Sequence, residues 1–476
     1  MQYDFYGNVS GIAAMTEEIV SKVNSCLSDY VLTTMLIGCG LFFTVRTRFV
    51  QIRCFGEGMR QVFGGFSLHG GRMRSGISSF QALSLAVAAQ VGTGNIIGAS
   101  GAILIGGPGA IFWMWLIAFF GMATIYAEAV LAQETRKVTP EGTVTGGPVY
   151  YIHRAFPGRF GNFLAGFFAI AITIGLGFMG CMVQSNSIGE SCHNAFGIPT
   201  WSVGIGIAIL AGLVFIGGLF RLAVVIEKIV PFMAVLYLLG GFAVLAVRID
   251  CLPETFACIF RYAFSPEALL GGALGHALKT AVSQGIKRGL FSNEAGMGST
   301  PHAHALANVP SPHNQGVAAM IGVFIDTCVV LTMTALIIIS TIYTGDGPLA
   351  KANGETYREM LASSGLNQSN LVQYAISSVS STMIGNVFVA ICLLFFAFST
   401  ILSWNLFGRL NVGYLLGKKA LKVYSLLSVA VVFIGTVLRS ELVWSLQDLL
   451  NQLMVVPNVI ALIALSGAVA RAAQKR

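Results

Sequence analysis

Long apolar stretches divide this chain, and short polar segments separate them. A helix that crosses the hydrocarbon core of a bilayer needs about 20 mostly apolar residues. Eleven stretches have roughly this length, and none shows the ten-residue alternation of a membrane β-strand. They lie near residues 29–45, 77–104, 109–133, 161–187, 201–219, 223–247, 266–299, 315–343, 383–407, 420–438 and 443–470. The pattern predicts an all-α integral membrane protein with eleven transmembrane helices.

The composition supports this prediction. Of the 476 residues, 55% are hydrophobic and 10% are charged, whereas a soluble domain carries about 25% charged residues. These values exclude an ordinary soluble enzyme, a disordered chain and a fibrous protein. The first 28 residues contain Asp4, Glu17 and Glu18 and lack the basic start and short apolar core of a secretory signal. We therefore expect no cleaved signal.

Lysine and arginine are concentrated in alternate loops. Of the 28 basic residues, 21 fall in loops on one face of the predicted topology, six fall on the other face, and Lys279 lies within a span. The larger group includes Lys287 and Arg288, which the prediction places in a cytoplasmic loop. Loops rich in lysine and arginine remain on the cytoplasmic side of a membrane. We therefore expect an external N-terminus and a cytoplasmic C-terminus in a bacterial inner membrane. The net charge of +8 then reflects topology, and nucleic-acid binding is not predicted.

The second span contains a sequence that favours unwinding. Its 28 residues would form a helix of about 42 Å, longer than the hydrocarbon core of about 30 Å. Gly92, Thr93, Gly94 and Asn95 lie at its middle, and each mid-helix glycine costs about 1 kcal/mol relative to alanine. An unwound segment exposes N–H groups that attract an anion and carbonyl groups that attract a cation. Close helix packing through the glycines is the alternative.

The seventh span is the counterpart in the second half of the chain. It is interrupted by glycines and by a polar cluster: Gly285, Gly289, Gly296 and Gly298, with Ser292, Asn293 and Glu294. Interrupted segments at corresponding places in two halves indicate a transporter binding site. We therefore predict two broken helices, with a leading segment at 1–76 and five-helix repeats at 77–250 and 251–476. A long re-entrant cytoplasmic loop is the alternative for the seventh span.

Several motifs carry a resemblance to a known family. They are GTGNIIGASGAILIGGPGAIFWMW (92–115), GMAT (121–124), GGPVYYI (146–152), KRGLFSNEAGMGSTPHAHA (287–305), IDT (325–327), TMTAL (332–336) and FAFSTILSW (396–404). The sequence resembles the alanine-or-glycine:cation symporter family of the amino acid–polyamine–organocation superfamily. The resemblance implies one leading helix followed by a five-plus-five inverted repeat. It also implies import of a small amino acid, alanine or glycine, coupled to Na⁺ or sometimes to H⁺.

The resemblance also implies where the substrate binds. The backbone and hydroxyl groups at the first break would hold the substrate carboxylate, and carbonyl groups at the second break would take its ammonium group. The expected substrate-binding residues are Thr93, Gly94, Gln184, Asn186, Phe291, Ser292, Asn293, Thr400 and Trp404. Hydrogen bonding between helices is the alternative for the two amides, and plain packing is the alternative for the two aromatic rings.

The resemblance further implies a Na⁺ site where adjacent hydroxyl groups of the ninth span meet carbonyl oxygens of the second. Such an oxygen cage suits a hard cation. The expected cation-binding residues are Ala88, Val91, Asn95, Asp326, Phe396, Ser399 and Thr400. A carboxylate inside a span costs about 2.5–3.5 kcal/mol, so Asp326 should face a cation, a proton or Lys279. Glu128 is a similar carboxylate with either a gating or a packing role.

Some residues depart from the family pattern. A glycine usually precedes the tryptophan of the ninth span, and here Ser403 precedes Trp404 and Asn405 follows it. Gln90 stands where threonine is common. These departures leave the identity of the substrate open.

An enzyme is not predicted, because the sequence contains no GxSxG or HExxH motif and no nucleotide-binding loop. His302, His304 and His313 share one loop, but no cysteine or carboxylate near them in the sequence completes a metal site. We expect no cofactor other than the coupling ion. The leading prediction is therefore a Na⁺-coupled symporter, with an H⁺-coupled symporter or a cation channel as alternatives.

Overall fold

A computed structural model describes residues 23–24, 27–64, 76–138, 144–216, 218–266, 269, 274–352, 354–438 and 440–474. These residues are almost entirely helical. Within them, one antiparallel pair of short strands, β1 (Lys137–Val138) and β2 (Val144–Thr145), forms a hairpin.

The helices follow one another through short connections. Their bounds are α1 (Thr33–Arg46), α2 (Val50–Arg53), α3 (Phe55–Phe63), α4 (Ser79–Gln90), α5 (Gly94–Gly106), α6 (Ala110–Thr135), α7 (Pro148–Ala155), α8 (Arg159–Phe196), α9 (Thr200–Ile216), α10 (Gly218–Val247), α11 (Leu252–Phe264), α12 (Leu274–Asn293), α13 (Pro301–Ala305), α14 (Pro312–Tyr343), α15 (Gly354–Ser364), α16 (Leu371–Ser377), α17 (Thr382–Leu416), α18 (Ala420–Gly435), α19 (Ser440–Ala464) and α20 (Ser466–Gln474). A π-helical turn at Leu27–Leu32 leads into α1, and a 3₁₀ turn at Ile249–Cys251 leads into α11.

Six of the described helices are long and apolar enough to cross a membrane, namely α6, α8, α10, α14, α17 and α19. Helices α4 and α5, which are bent by 45° at the break between them, would add a seventh if the pair is one span. Helices α1, α9 and α18 are apolar but shorter. Each of the eleven predicted spans overlaps a helix, and α12 occupies the seventh. The count of eleven crossings and the division at residues 76 and 250 stay predictions.

Two long helices, α6 and α17, each pack against several others. Helix α6 packs against α1, α12 and α14, and α17 packs against α8, α10 and α16. The bent pair and the end of α12 lie between these two groups, so the chain segments that leave the helical conformation are enclosed by protein.

Three helices contain π-helical turns near the centre of the molecule. A π turn adds one residue to a helical turn and is frequent at functional sites. The turns are Gly94–Gly98 in α5, Gly175–Gly180 in α8 and Phe324–Leu331 in α14. Each of them carries a residue of the site described below.

The break in the seventh span differs from the prediction. Helix α12 runs unbroken through Gly285 and Gly289, and both glycines serve close packing. A Cβ at Gly285 would lie 2.6 Å from the Cβ of Trp113, and one at Gly289 would lie 2.7 Å from Ile117. The helix ends only after Asn293.

The chain beyond Asn293 adopts backbone conformations that a helix cannot contain. Glu294 has φ +57°, and Gly296 and Gly298 have φ of +89° and +82°. Glycine carries no steric penalty in this region, so Gly296 and Gly298 account for the break that Gly285 and Gly289 do not make.

The predicted position of Lys287 and Arg288 in a cytoplasmic loop is wrong. Both residues lie within α12, which runs antiparallel to α5: Gly106 lies beside Ala281, and Gly94 beside Ser292. The two cations are therefore on the same side of the breaks as the end of α5. They form ion pairs with Asp448 of α19, at 2.7 Å from Lys287 Nζ and 3.4 Å from Arg288 Nη1.

Replacing Gly285 with alanine tests the packing of α12 on α6. The added methyl group would meet Trp113 Cβ at 2.6 Å and Ala110 O at 2.7 Å, so the two helices must separate. We expect the free energy of unfolding to fall by about 1–3 kcal/mol, measured by reversible unfolding in mixed detergent–SDS micelles.

Gly206→Ala in α9 is the matched control, because a Cβ there meets nothing within 4 Å. It should leave stability unchanged or raise it by up to about 1 kcal/mol, the helix-propensity gain. Equal effects of the two substitutions would contradict the packing role of Gly285.

Candidate functional site

The first break lies between α4 and α5, at Val91 and Gly92. The Gly92 N–H donates to Asn95 Oδ1 at 3.1 Å, which closes the turn. A Cβ at Gly92 would lie 2.5 Å from Thr400 Oγ1 and 3.1 Å from Gln184 Oε1. Glycine at this position therefore lets α17 and α8 approach the unwound backbone.

The two breaks meet in the centre of the molecule. Gln90 Nε2 donates to the carbonyl oxygen of Asn293 at 2.8 Å. A Cβ at Gly94 would lie 2.9 Å from the Phe291 ring and 3.2 Å from Ser292 Cα. Gln90, one of the departures from the family pattern, thus connects the end of α4 to the end of α12.

Asp326 joins both breaks to α14. Asn95 Nδ2 donates to its Oδ1 at 2.7 Å, and Ser292 Oγ lies 3.0 and 2.9 Å from its two carboxylate oxygens. Thr327 Oγ1 donates to Oδ2 at 2.8 Å, and Asn293 Nδ2 reaches Thr327 Oγ1 at 3.4 Å. The structure therefore brings together Asn95 and Asp326, two of the residues predicted to bind a cation, with Ser292 beside them.

The Asp326 carboxylate is fully buried, and its recorded partners are uncharged. Among the residues that the structure describes, no ion pair joins it to Lys279 or to another cation. A buried carboxylate is costly unless a cation or a proton compensates it. The arrangement is suited to accept either one.

A second oxygen cluster lies where α17 meets the end of α4. Thr400 Oγ1 donates to Ala88 O at 2.7 Å and contacts Phe396 O at 3.0 Å. Ser399 Oγ donates to Phe396 O at 2.9 Å. Val91 lies at the break itself, and its N–H bonds Val87 O. In the described residues no hydrogen bond links its carbonyl to Ser399 or Thr400.

Three buried polar atoms at the first break have no hydrogen-bond partner within the described parts of the chain: Gln90 Oε1, Thr93 Oγ1 and Gln184 Nε2. Thr93 and Gln184 are neighbours, since the Thr93 N–H donates to Gln184 Oε1 at 3.1 Å. Buried polar atoms are almost always hydrogen-bonded, so this pair is positioned to bind a polar ligand.

Asn186 contacts a neighbouring helix, and its place in the substrate set stays a prediction. Its amide donates to Gly435 O and Leu438 O, each at 3.0 Å. It therefore connects α8 to the end of α18, which is the interhelical role considered as the alternative. Gln184, which precedes Asn186 by two residues in α8, lies on the face of the helix that contacts the first break.

An aromatic group closes the site beside the second break. The rings of Phe291 and Trp404 lie edge to face with centroids 5.9 Å apart. Trp404 Nε1 donates to Glu294 Oε1 at 2.5 Å, and Ser299 Oγ donates to Glu294 Oε2 at 2.5 Å. The sequence indicated Glu294 only as a polar residue near the break. The left-handed backbone at Glu294 turns the chain where its carboxylate meets Trp404.

Glu128 fastens the loop that follows the second break. Its carboxylate accepts the N–H groups of Gly296 at 3.2 Å and Gly298 at 2.9 Å, and the amide of Asn458 at 2.6 Å. Tyr151 donates to Asn458 Oδ1 in turn. Glu128 therefore has a structural role here, and Asn458 is a partner that its position in the sequence did not reveal.

The histidines of the predicted loop are separated in the structure. His302 contacts Ser299 O at 2.7 Å and Asn411 Nδ2 at 2.8 Å, whereas His304 contacts Gln315 Nε2 at 2.8 Å. Burial lowers the pKa of His302 to about 4 and that of His304 to about 3, so both rings are neutral near pH 7 and act in packing.

The remaining departures from the family pattern lie on α17. Ser403 and Asn405 are buried. Their Oγ and Nδ2 atoms have no partner in the described residues, while Asn405 O accepts a hydrogen bond from Tyr424 at 3.1 Å.

A broken helix, a second break facing it and a buried polar centre are features of a multi-pass membrane transporter. The fold resembles that of a manganese transporter from Eremococcus coleocola, with a TM-score of 0.52 over 82% of this chain and 76% of that one. The sequences are 12% identical, so this likeness concerns the fold alone. A model of the sodium:alanine symporter family matches residues 13–475, and this chain belongs to that family.

Curated relatives share most of the chain. The sodium/alanine symporter AgcS of Methanococcus maripaludis is 39% identical over 95% of both chains. The putative sodium/proton-dependent alanine carrier protein YrbD of Bacillus subtilis is 39% identical over 94% of this chain and 90% of its own. The probable sodium/glutamine symporter GlnT of the same species is 38% identical over 94% and 88%. The protein is a transporter and not an enzyme.

Proposed function

We propose that this protein imports a small neutral amino acid, alanine or glycine, together with Na⁺ across a bacterial cytoplasmic membrane. We propose an external N-terminus and a cytoplasmic C-terminus, on the basis of the basic loops. The observation that carries the substrate proposal is the pair of buried polar atoms at the first break, Thr93 Oγ1 and Gln184 Nε2, which have no partner in the described residues.

The substrate carboxylate would lie at the start of α5. Free N–H groups at the beginning of a helix attract anions, and Thr93 Oγ1 can donate one more hydrogen bond. An α-amino acid is a zwitterion, so its ammonium group needs acceptors nearby. The carbonyl groups at the end of α12 can supply them.

The space beside the break favours a small side chain. Trp404 and Phe291 form one wall. Helix α8 approaches this wall closely at Gly180, where a Cβ would lie 2.5 Å from the Trp404 ring. A large apolar substrate side chain would have to displace this ring. The relative named for glutamine makes glutamine a necessary comparison in any transport assay.

Two groups of oxygen atoms support the proposed coupling to Na⁺. The first comprises the carbonyls of Ala88 and Phe396 with the hydroxyls of Ser399 and Thr400. The second surrounds Asp326. Hydroxyl groups that now donate to these oxygens can rotate and offer their own lone pairs to a cation. The relatives named for sodium and alanine support the same ion.

Coupling would follow from the shared position of Asp326. Its carboxylate holds Asn95 of the first break and Ser292 of the second, so a cation bound there orders both ends of the substrate site. Affinities must then change reciprocally: Na⁺ tightens substrate binding, and substrate tightens Na⁺ binding to the same extent. Rocking of the two repeats would then open the loaded site to the other side.

H⁺ coupling is the second candidate, and the uncharged surroundings of Asp326 favour it. A carboxylate bonded only to amide and hydroxyl groups is neutralised as well by a proton as by Na⁺. In that case Asp326 would carry the coupling proton while the substrate site stays the same.

The coupling ion is tested by uptake into proteoliposomes that contain the purified protein. We expect labelled alanine or glycine to accumulate with an inward Na⁺ gradient, but not with K⁺ or with a pH gradient alone. Accumulation driven by the pH gradient alone would show that the coupling ion is H⁺ and not Na⁺. Accumulation of glutamine alone would overturn the proposed substrate. A current without saturable uptake would indicate a channel.

Thr93→Val tests the substrate site. Because the Thr93 hydroxyl has no partner in the described residues, its removal breaks no recorded hydrogen bond and should leave the protein folded. Loss of a hydrogen bond to a charged ligand costs about 1.5–3 kcal/mol. The ratio of maximal uptake rate to half-saturation concentration should therefore fall about 10- to 100-fold.

The control is Thr173→Val in α8, where the hydroxyl bonds only the Ala169 carbonyl of its own helix at 2.7 Å. Uptake by this variant should match that of the original protein. Normal uptake by Thr93→Val would remove Thr93 from the substrate site.

Asp326→Asn tests the proposed ion site. Asparagine keeps the shape of the side chain, and Ser292 and Thr327 can reverse their hydroxyls to accept hydrogen bonds from its amide. We expect the Na⁺ concentration for half-maximal uptake to rise about tenfold or more, because the site loses its only charged ligand. The same change at Asp346, which is 85% exposed, should leave the Na⁺ dependence unaltered, and an unaltered dependence in Asp326→Asn would contradict the assignment.

A further inference from the structure

A second group of polar side chains lies away from the transport site, where α3, α6 and α14 meet. Cys54 immediately precedes α3, Glu57 is in its first turn, and His313 is in the first turn of α14. The Sγ atom, a carboxylate oxygen and a ring nitrogen of these residues all lie within 4.8 Å of one another. The sequence separates His313 from the other two by more than 250 positions, so only the fold reveals the cluster.

From this cluster we infer a binding site for a zinc-class divalent cation, formed by Cys54 Sγ, Glu57 and His313 Nε2. Thiolate, imidazole and carboxylate are the three protein ligand types that Zn²⁺ takes. A water molecule would complete a tetrahedron. The inference does not depend on the proposed transport function.

The histidine is already oriented for this role. Its Nδ1 lies 2.7 Å from the hydroxyl of Tyr126, and its Nε2 faces Glu57 Oε1 at 3.2 Å. Metal-bound histidines almost always use the second ring nitrogen for a hydrogen bond that fixes the ring. Tyr126 supplies that bond and leaves Nε2 directed at the cluster.

The position of Cys54 at a helix start suits a metal-bound thiolate. Cys54 caps the beginning of α3, and the positive end of a helix stabilises a thiolate. The guanidinium of the neighbouring Arg53 donates instead to two backbone carbonyl oxygens, Thr47 O at 3.3 Å and Ala473 O at 2.8 Å. A thiolate and a carboxylate together balance the charge of a divalent ion.

Helix α3 is held firmly against α14, and one of the three ligands, Glu57, can change its position. A Cβ at Gly58 would lie 2.8 Å from Ile321 Cγ1, and the rings of Phe55 and Phe324 pack edge to face at 5.0 Å, so α3 is tightly held on α14. Zn²⁺ bonds of about 2.0–2.3 Å place tetrahedral ligand atoms roughly 3–4 Å apart. The required contraction is about 1 Å, and the half-exposed Glu57 side chain can supply it by rotation.

Occupancy would connect two distant parts of the chain. Helix α3 belongs to the segment between α1 and α4, whereas α14 carries Asp326. A bound metal would therefore fix the position of this segment against the helix that supplies the buried carboxylate.

Cobalt absorption tests the site directly on the full chain. The purified protein is stripped with a chelator in detergent micelles and titrated with Co²⁺. We expect one equivalent to bind with a near-ultraviolet thiolate-to-cobalt charge-transfer band, and Zn²⁺ to abolish that band by displacement. Absence of the band from the unaltered protein overturns the inference, whatever the behaviour of any variant.

Matched substitutions assign the ligands. Cys54→Ser should abolish the band and His313→Gln should weaken metal binding by about 100-fold, while Tyr126→Phe should weaken it about tenfold, as outer hydrogen-bond partners do. Cys258→Ser in α11 and His193→Gln in α8 should bind as the original protein does. Helix content and gel-filtration profile establish that each variant is folded. A band that survives Cys54→Ser, or that the control substitutions remove equally, overturns the assignment.

Discussion

Backbone that leaves the helical conformation inside a membrane protein must find its hydrogen-bond partners within the protein, since hydrocarbon offers none. In this structure Asn95 Oδ1 accepts the Gly92 N–H at the first break, and the Asp326 carboxylate holds the side chains that line both breaks. Its two oxygens hold Asn95 from the first break, Ser292 from the second and Thr327 from its own helix. Gln90 adds a direct bond between the breaks. The other features of the site, from the packing of α17 to the position of Trp404, are arranged around two unwound segments that this one carboxylate keeps together.

Close approach is the second requirement, and glycine provides it. Gly92 admits Thr400 and Gln184, Gly180 admits the Trp404 ring, and Gly94 admits Phe291. Helices α5, α8 and α14 also contain π turns, which include Gly94, Gly180 and Asp326. Each adds one residue to a turn and so alters which side chains face the centre. The polar residues at the centre are thus placed by local departures from regular helix geometry as much as by the helices themselves.

The sequence predicted most of the helices because apolar length is a local property, and it predicted the first break because Gly92, Thr93, Gly94 and Asn95 are adjacent. It identified Asp326 from the cost of a charge inside a span. It could not distinguish a glycine that breaks a helix from one that packs a helix, which is why Gly285 and Gly289 were misjudged. It misplaced Lys287 and Arg288, and it could not identify the helix that Asn186 contacts, for a related reason: their partners, Asp448 and the end of α18, are far away in the sequence.

The hydrogen bonds of Glu128 determine which parts of the second break can move. Gly296 and Gly298 are held by Glu128 of α6, and Asn458 of α19 binds both that carboxylate and the Gly296 carbonyl. The loop after the break is therefore anchored to two long helices, whereas the preceding end at Ser292 and Asn293 is held through side-chain hydroxyl and amide groups around Asp326 and Thr327. The second break therefore has one fixed end and one adjustable end. Bending is confined to the few residues beside the buried carboxylate, and the loop that follows them moves together with α6.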